Sequence, residues 1–144
     1  MSEKSLAVDA WEALFRAQVS VLRQLNIEFP TEELSFNEYD VLFNLSRQPG
    51  RKLRLRDLNK HLLLTQPSVS RLVDRLVERG FVTKESDPGD GRGTIVCLTD
   101  AGYDLFRRVA VVHAESIAHR VGNTLTDSEL TQLASICEKL RLQG

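Results

Sequence analysis

Residues 65–82 read TQPSVSRLVDRLVERGFV, and this stretch has the pattern of a short amphipathic helix. Thr65 is predicted to cap the helix, because its hydroxyl can accept from first-turn N–H groups. Pro67 is compatible with the first turn, and Gly80 suits the left-handed position just past the helix end. Apolar residues recur at the helical spacing of one buried face, at Val69, Leu72, Val73, Leu76 and Val77.

The opposite face of this helix has the chemistry of a DNA-reading surface. It carries Arg71 and Arg75, with Ser68 and Ser70 on its flanks near the N-terminal end. Small residues allow a close approach of the backbone, helix-end N–H groups bind phosphate, and arginine reads base edges. The apolar residues of 55–62 predict a bracing helix, and therefore a helix-turn-helix. For one helix alone, a solvated polar face is the more common explanation.

A glycine-rich loop follows directly and is predicted to form a wing. Residues 81–85 and 94–98 are predicted strands, and Asp87–Gly93 (DPGDGRG) is the predicted hairpin loop between them. Arg92 on this loop would enter a minor groove, where negative potential is concentrated. Asp90 would restrain an arginine through an ion pair. The alternative is an ordinary surface turn.

The remaining sequence predicts further helices around this centre. The predicted elements are a helix over about 6–27, a helix starting at the capping box of Ser35 and Glu38, a brief strand in 51–56, a helix capped by Thr99 and a last helix starting at the capping box of Thr126 and Glu129. The fold class is therefore mainly α with a small β-hairpin wing. Because the end helices have apolar stripes that the middle cannot cover, we expect them to pack in a homodimer.

Charge is unevenly distributed, although the formal net charge is only −1. Residues 1–50 hold four Lys/Arg and eight Asp/Glu, whereas residues 51–100 hold ten and seven. A basic middle third favours a nucleic-acid partner, but most charge clusters are simply solvated faces. There is no apolar run of membrane-spanning length, no secretory signal and no CxxC pair. We therefore predict a cytoplasmic protein with no membrane partner.

Several segments in one order resemble the multiple-antibiotic-resistance regulator (MarR) family of winged-helix transcription factors. These segments are SFNEYDVLFNL (35–45), LRLRDLNKHL (53–62), residues 65–82 as quoted above, and DPGDGRGTIVCLTDAGYDLF (87–106). The last contains an Asp-x-Arg before a strand that ends in Leu-Thr and leads to Gly. The resemblance covers half of the chain. It implies a winged helix-turn-helix over 35–98, with dimerisation helices in 1–34 and 99–144.

The resemblance also implies what the protein binds and with which residues. A homodimer would place two recognition helices in successive major grooves of a pseudo-palindromic double-stranded DNA site. Besides the cap Thr65, the implied DNA-binding residues are Gln66, Pro67, Ser68, Ser70, Arg71 and Arg75 on the helix, Asp90 and Arg92 on the wing, and Arg54 and Arg56 as phosphate contacts. The chain departs from the family at Leu63, where many relatives have glycine, and at Gly91, where many have a second basic residue.

Family members usually repress transcription, and many release DNA when a small aromatic or phenolic molecule binds. The aromatic residues that would line such an effector pocket are Trp11, Phe15, Phe36, Tyr39 and Phe43, although aromatic residues on amphipathic helices more often belong to the core. Cys97 and Cys137 are expected to be small buried residues rather than thiol sensors. Glu115 and His119 share a helical face, but a surface pair is a better explanation than a metal site.

Two other functional classes compete with a DNA-binding repressor. A winged helix can bind protein instead, with its basic face serving an acidic partner. An enzyme is the third class, but the sequence contains no phosphate-binding loop, nucleophile–His–acid pattern or defensible carboxylate pair. We therefore predict that the protein is not an enzyme and uses no cofactor and no metal.

Overall fold

The computed structural model describes residues 3–63 and 68–143, with Asp90 described by its backbone alone. The described elements, in chain order, are α1 (Glu3–Glu28), α2 (Phe36–Ser46), a 3-10 turn (Pro49–Arg51), β1 (Lys52–Arg54), α3 (Leu55–His61), α4 (Val69–Glu78), β2 (Val82–Asp87), β3 (Asp90–Leu98), α5 (Asp100–Ile117), a π-helical turn (Ala118–Gly122) and α6 (Asp127–Leu142). None of these helices has the length and apolar character needed to span a membrane.

The chain divides into two compact units. The central unit is Pro30–Val112, and the terminal unit combines the residues up to Phe29 with those from His113 onward. Helix α5 therefore contributes its first part to the central unit and its last turns to the terminal unit. The domain limits predicted at 34/35 and 98/99 stay predictions.

The central unit packs three helices and the start of α5 against a small antiparallel sheet. The strand order is β1-β3-β2, with Leu53 opposite Val96 and Lys84 opposite Val96 on the other side. Its fully buried core consists of Leu34, Val41, Leu42, Leu45, Leu58, Leu72, Val73, Leu76, Val82, Val96 and Leu105. The predicted fold class, mainly α with a small β-hairpin wing, is confirmed.

Helix α4 begins later than the sequence predicted. Ser68 is its N-cap, with an extended backbone and a hydroxyl that accepts from the Arg71 N–H at 3.3 Å. The predicted start at Thr65 is therefore wrong, because the hydroxyl nearest the first regular turn takes the cap. The end is as predicted: Gly80 has a φ of 81°, its N–H donates to the Val77 carbonyl, and the Phe81 N–H donates to the Leu76 carbonyl.

The wing is a longer and tighter hairpin than predicted. Strand β2 extends to Asp87 and β3 starts at Asp90, so the seven-residue loop predicted over 87–93 is wrong. Asp87 pairs with Asp90, and Pro88 and Gly89 form the two-residue turn. The Asp87 carboxylate stabilises this turn, because its Oδ1 accepts from the Gly89 N–H at 2.9 Å. A register shift between Ser86 and Asp87 marks an irregularity just before the turn.

The junction between β3 and α5 is built around the Phe81 and Gly80 carbonyls. The Thr99 N–H donates to the Phe81 carbonyl at 3.1 Å, and the Thr99 hydroxyl donates to the Gly80 carbonyl at 2.8 Å. The same hydroxyl oxygen accepts from the Gly102 N–H at 3.0 Å, which confirms Thr99 as the predicted cap. Gly102 leaves no room for a side chain, since a Cβ there would overlap the Phe81 carbonyl and approach Leu98 Cδ1 to 2.9 Å.

The terminal unit is poor in buried residues. Within its described part, the buried residues are Leu25, Phe29 and His113. Thr126 and Glu129 form the predicted capping box at the start of α6, and Arg120 forms an ion pair with Glu28. The exposed large apolar side chains of this unit are Leu6, Val8, Trp11, Phe15, Ile27, Ile117, Leu133, Ile136, Leu140 and Leu142. The apolar stripe predicted for the last helix is thus mostly open in a single chain.

Candidate nucleic-acid interface

Helix α4 separates its apolar and charged residues onto two faces, as predicted. Leu72, Val73 and Leu76 are buried, whereas Ser70, Arg71, Asp74, Arg75 and Glu78 are exposed. Neither Arg71 nor Arg75 forms an ion pair with any residue in the described ranges. These two guanidinium groups therefore present uncompensated positive charge on the exposed face of the helix.

Ion pairs to other elements hold helix α4 at its middle and at its C-terminal end. Asp74 lies among the exposed residues, but Lys84 Nζ of β2 is 2.6 Å from its Oδ1 and neutralises it. Beyond the last turn, Arg79 Nη1 is 3.2 Å from Glu38 Oε2, and Arg79 also donates to the Glu33 carbonyl. Glu38 is the same residue that completes the α2 capping box, so one carboxylate serves the start of α2 and the end of α4.

A basic cleft lies beside the wing, next to the start of α3. It has a volume of about 320 Å³ and is lined by Arg54, Leu55, Arg56, Asp87, Arg92, Gly93 and Thr94. The structure therefore brings together three of the arginines that the sequence predicted as phosphate or minor-groove contacts. Arg56 and Arg92 are exposed. Cations that converge on one cleft beside a helix-turn-helix are well placed for a phosphate backbone.

Arg54 has a second role within this cleft. Its Nε is 2.6 Å from Oδ2 of Asp87, and the Asp87 side chain is only 4% exposed. The pair is a close charge contact rather than a well-directed hydrogen bond, since Asp87 Oδ2 accepts no hydrogen bond within the described residues. Arg54 thus compensates a buried charge at the wing turn, and less of its positive charge is available to a phosphate.

Some of the predicted site residues are not among the residues that the structure describes. Thr65, Gln66 and Pro67 are outside the described residues, as is the side chain of Asp90.

Leu63, where many relatives have glycine, lies within the described residues, and its backbone does not require a glycine. Arg51 is the only described non-glycine residue with a positive φ, so Leu63 has an ordinary backbone conformation. The departure from the family at this position is therefore accommodated without backbone strain.

The five aromatic residues predicted for an effector pocket fall into two groups. Trp11 and Phe15 belong to the terminal unit, where both are exposed and their ring centroids are 5.4 Å apart. Tyr39 and Phe43 belong to the central unit, where Phe106 of α5 stacks on Tyr39 at 5.4 Å. Phe36 is half-buried at the start of α2. Burial raises the pKa of the Tyr39 phenol, as expected of a core residue.

The cysteines, predicted to be small buried residues, are both only partly buried. Burial, reinforced by the Glu85 carboxylate, raises the pKa of the Cys97 thiol, which disfavours the reactive thiolate. Cys137 lines an apolar groove of about 580 Å³ within the terminal unit.

His119, considered above as a metal ligand, instead contacts Asn123: its Nδ1 is 3.0 Å from the amide nitrogen. The described residues include no group of three metal-ligating side chains.

Sequence reasoning missed the residues that hold the interface in place. Asp87, Lys84 and Asp40 all make contacts to residues that are distant in sequence or on another element. Only Asp87 had a local signal, because an aspartate before Pro-Gly commonly accepts from the backbone of the turn that follows. No sequence spacing predicts the ion pair between Lys84 and Asp74. None predicts the hydrogen bond that the Leu63 N–H donates to the Asp40 carboxylate.

The central unit therefore has the helix-turn-helix, the exposed arginines and the hairpin wing of a winged-helix DNA-binding protein. The family model of the MarR family matches residues 33–93. The HTH-type transcriptional regulator YkoM of Bacillus subtilis is 32% identical over 111 residues, which are 76% of this chain and 70% of YkoM. The chain belongs to the MarR family of transcriptional regulators, and its relatives are regulators rather than enzymes.

Solved structures agree with this assignment. Sco3205, a MarR family regulator from Streptomyces coelicolor solved in complex with DNA, is 27% identical with a TM-score of 0.77, covering 98% of this chain and 88% of Sco3205. AbsC, a MarR family regulator from the same organism, is 28% identical with a TM-score of 0.72, covering 98% of this chain and 97% of AbsC.

Proposed function

We propose that the protein is a homodimeric, sequence-specific DNA-binding repressor that acts in the cytoplasm and is released from DNA by a small aromatic or phenolic ligand. The observation that carries DNA binding is the exposed face of α4, where Arg71 and Arg75 have no acidic partner among the described residues. Arginine on an exposed helix face reads guanine edges in the major groove. The DNA complex of Sco3205 supports this use of the fold.

The wing supplies contacts of a different kind in this proposal. The basic cleft holds Arg56 and Arg92 beside α3 and the hairpin, so both would bind phosphates or the minor groove. Such contacts position the protein and carry little sequence information. Arg54 contributes mainly by holding Asp87, and Lys84 contributes by neutralising Asp74, which would otherwise repel phosphate.

The homodimer is supported by the exposed apolar surface of the terminal unit. Ten large apolar side chains are exposed there, against three buried residues in its described part. Soluble monomers rarely leave contiguous apolar patches of this kind uncovered. A second copy of the chain is the simplest cover, because twofold symmetry lets α1 and α6 of both copies share one core.

Repression and release by a ligand rest on the family resemblance. A ligand must bind the DNA-incompetent arrangement more tightly than the competent one, because equal affinity shifts nothing. Of the five aromatic residues predicted for an effector pocket, Trp11 and Phe15 are exposed, whereas Tyr39 is buried in the central unit. A packed Tyr39 cluster favours a structural role for that residue.

The test is selection of binding sites from a random duplex pool with the purified full-length protein, followed by a salt titration of the selected duplex. We expect a pseudo-palindrome with half-sites about 10 base pairs apart. We also expect the logarithm of affinity to fall linearly with the logarithm of salt concentration, as phosphate neutralisation requires. Absence of any enriched sequence, with only weak salt-sensitive binding, would favour the protein-binding winged helix instead.

A further inference from the structure

A carboxylate is buried in the helix that supports the DNA-binding unit. Asp40 of α2 is only 3% exposed, and its neighbours Val41 and Leu42 are completely buried. Burying a carboxylate is costly unless hydrogen bonds compensate for the lost water. The hydrogen bonds of Asp40 therefore indicate what it does in the fold.

The two carboxylate oxygens have different partners. Oδ1 accepts from Asn44 Nδ2 at 2.9 Å, and the same amide nitrogen donates to the Asp40 carbonyl at 2.8 Å. Asn44 lies one turn later on α2 and is itself buried, so it fixes the orientation of the carboxylate. Oδ2 accepts from the Leu63 backbone N–H at 2.9 Å, across 23 residues of sequence.

Leu63 lies at the start of the connection between the two helices of the helix-turn-helix. Helix α3 closes with the hydrogen bond from the Leu62 N–H to the Leu58 carbonyl, and Leu63 is the next residue. The Leu63 side chain is 75% exposed and adds little packing. The bond to Asp40 is therefore a tether on the backbone, at the point where the chain leaves the bracing helix toward α4.

We propose that Asp40 is a positioning residue for DNA reading, because it fixes the start of the turn that sets how α4 is presented. This inference rests on the proposed function. Asp40 is buried and acts on the backbone at the start of the turn, so its loss should reduce discrimination between DNA sequences more than general attraction to DNA. A charge-assisted hydrogen bond to a backbone N–H is strong enough to select one turn conformation.

The experiment compares the full-length protein with Asp40→Ala, Asp40→Asn and Val41→Ala. Val41→Ala is the matched control, because it removes buried volume from the same helix but no hydrogen-bond acceptor. Two quantities are measured: the amide hydrogen exchange rate of Leu63 without DNA, and the ratio of affinities for the selected duplex and a scrambled duplex. We expect Asp40→Ala to speed Leu63 exchange and to lower the affinity ratio, each on the order of tenfold.

Asp40→Asn keeps an acceptor for the Leu63 N–H and should recover part of both effects, and it carries the test if Asp40→Ala does not fold. Val41→Ala should leave the affinity ratio unchanged. Unchanged Leu63 exchange in Asp40→Ala and Asp40→Asn, or an equal fall of the ratio in Val41→Ala, would overturn the proposal. If the wild-type protein does not discriminate between duplexes, the proposed function fails, while Leu63 exchange still decides whether Asp40 holds the turn.

Discussion

At the scale of single residues, charge compensation decides which cations of the central unit are available to DNA. Arg54, Arg79 and Lys84 have carboxylate partners within 3.2 Å. Arg71 and Arg75 have none among the described residues. Counting basic residues in the sequence therefore overstates the binding surface, because some of them, including the predicted phosphate contact Arg54, stabilise the fold through ion pairs.

Arg71→Ala tests whether the exposed face of α4 reads bases. We expect it to cost about 1–3 kcal/mol of binding free energy on the selected duplex and to relax the preference at one position of each half-site. Binding to a panel of single-base variants of the duplex measures both effects. Arg92→Ala is the comparison, since a wing contact should lose affinity evenly over the panel. Even loss in Arg71→Ala as well would mean that the helix contacts only the backbone.

At the scale of elements, the junction between the wing and α5 is tightly constrained. Thr99 ties three backbone groups together, and Gly102 lies against the Phe81 carbonyl. The Leu-Thr-x-x-Gly pattern of the family thus has a structural reason. It fixes where the returning strand ends and where the next helix begins, and it makes no contact that requires DNA.

Gly102→Ala should destabilise the protein by about 1–3 kcal/mol or more, because the new methyl group overlaps backbone that has no room to move. Chemical denaturation at fixed protein concentration measures the change in the free energy of unfolding. Gly122→Ala is the control, since a Cβ there has nothing within 4 Å. Equal stability of Gly102→Ala and wild type would show that the junction can relax around the methyl group.

Local signals predicted most elements, and contacts between distant residues account for the errors. The capping boxes at Ser35 and Thr126 and the helix-ending glycine at position 80 depend only on residues a few positions apart in the sequence. All three predictions are confirmed. The wing loop was predicted too long because Gly91 and Gly93 suggested a turn. Pairing along β2 and β3 overrides that preference, and pairing between strands is not visible in local spacing.

The candidate site was predictable to a similar degree. Helical spacing placed Arg71 and Arg75 on the exposed face, as the structure has them. The convergence of Arg54, Arg56 and Arg92 on one cleft depends on β1 pairing with β3, which places Arg54 opposite Ile95, 41 positions later in the chain. The Asp40 tether depends on packing of α2 beneath the turn, and no sequence pattern specifies it.

At the scale of the whole molecule, α6 is expected to decide assembly. Deletion of the chain after Asn123 should abolish the dimer, because it removes four of the ten exposed large apolar side chains of the terminal unit. Ile136→Glu should do the same without shortening the chain, since Ile136 is exposed within one copy. Sedimentation equilibrium measures the association. Ser135→Glu, on the opposite face of α6, is the control, and a stable dimer in Ile136→Glu would contradict the assembly proposed here.

Because of His113, the free energy of unfolding is expected to fall as the pH falls. Burial against the Phe29 ring lowers the pKa of its imidazole below the ordinary 6.5. The unfolded chain therefore binds a proton at a higher pH than the folded chain, and stability is lost as the pH falls below about 6.5 toward the folded pKa. Melting temperatures at pH 7.5 and pH 5.5 measure this loss. It should shrink in His113→Gln and persist in His119→Gln, whose wild-type imidazole is exposed.

The sparse core of the terminal unit has a consequence for the cell that makes this protein. If neither copy is stable until it meets the other, the amount of functional regulator at low expression rises with the square of the number of chains synthesised. Solitary chains expose apolar side chains and become substrates for proteases and chaperones. A twofold change in gene dosage would then change the regulator's abundance about fourfold, so expression level itself becomes part of the regulatory response.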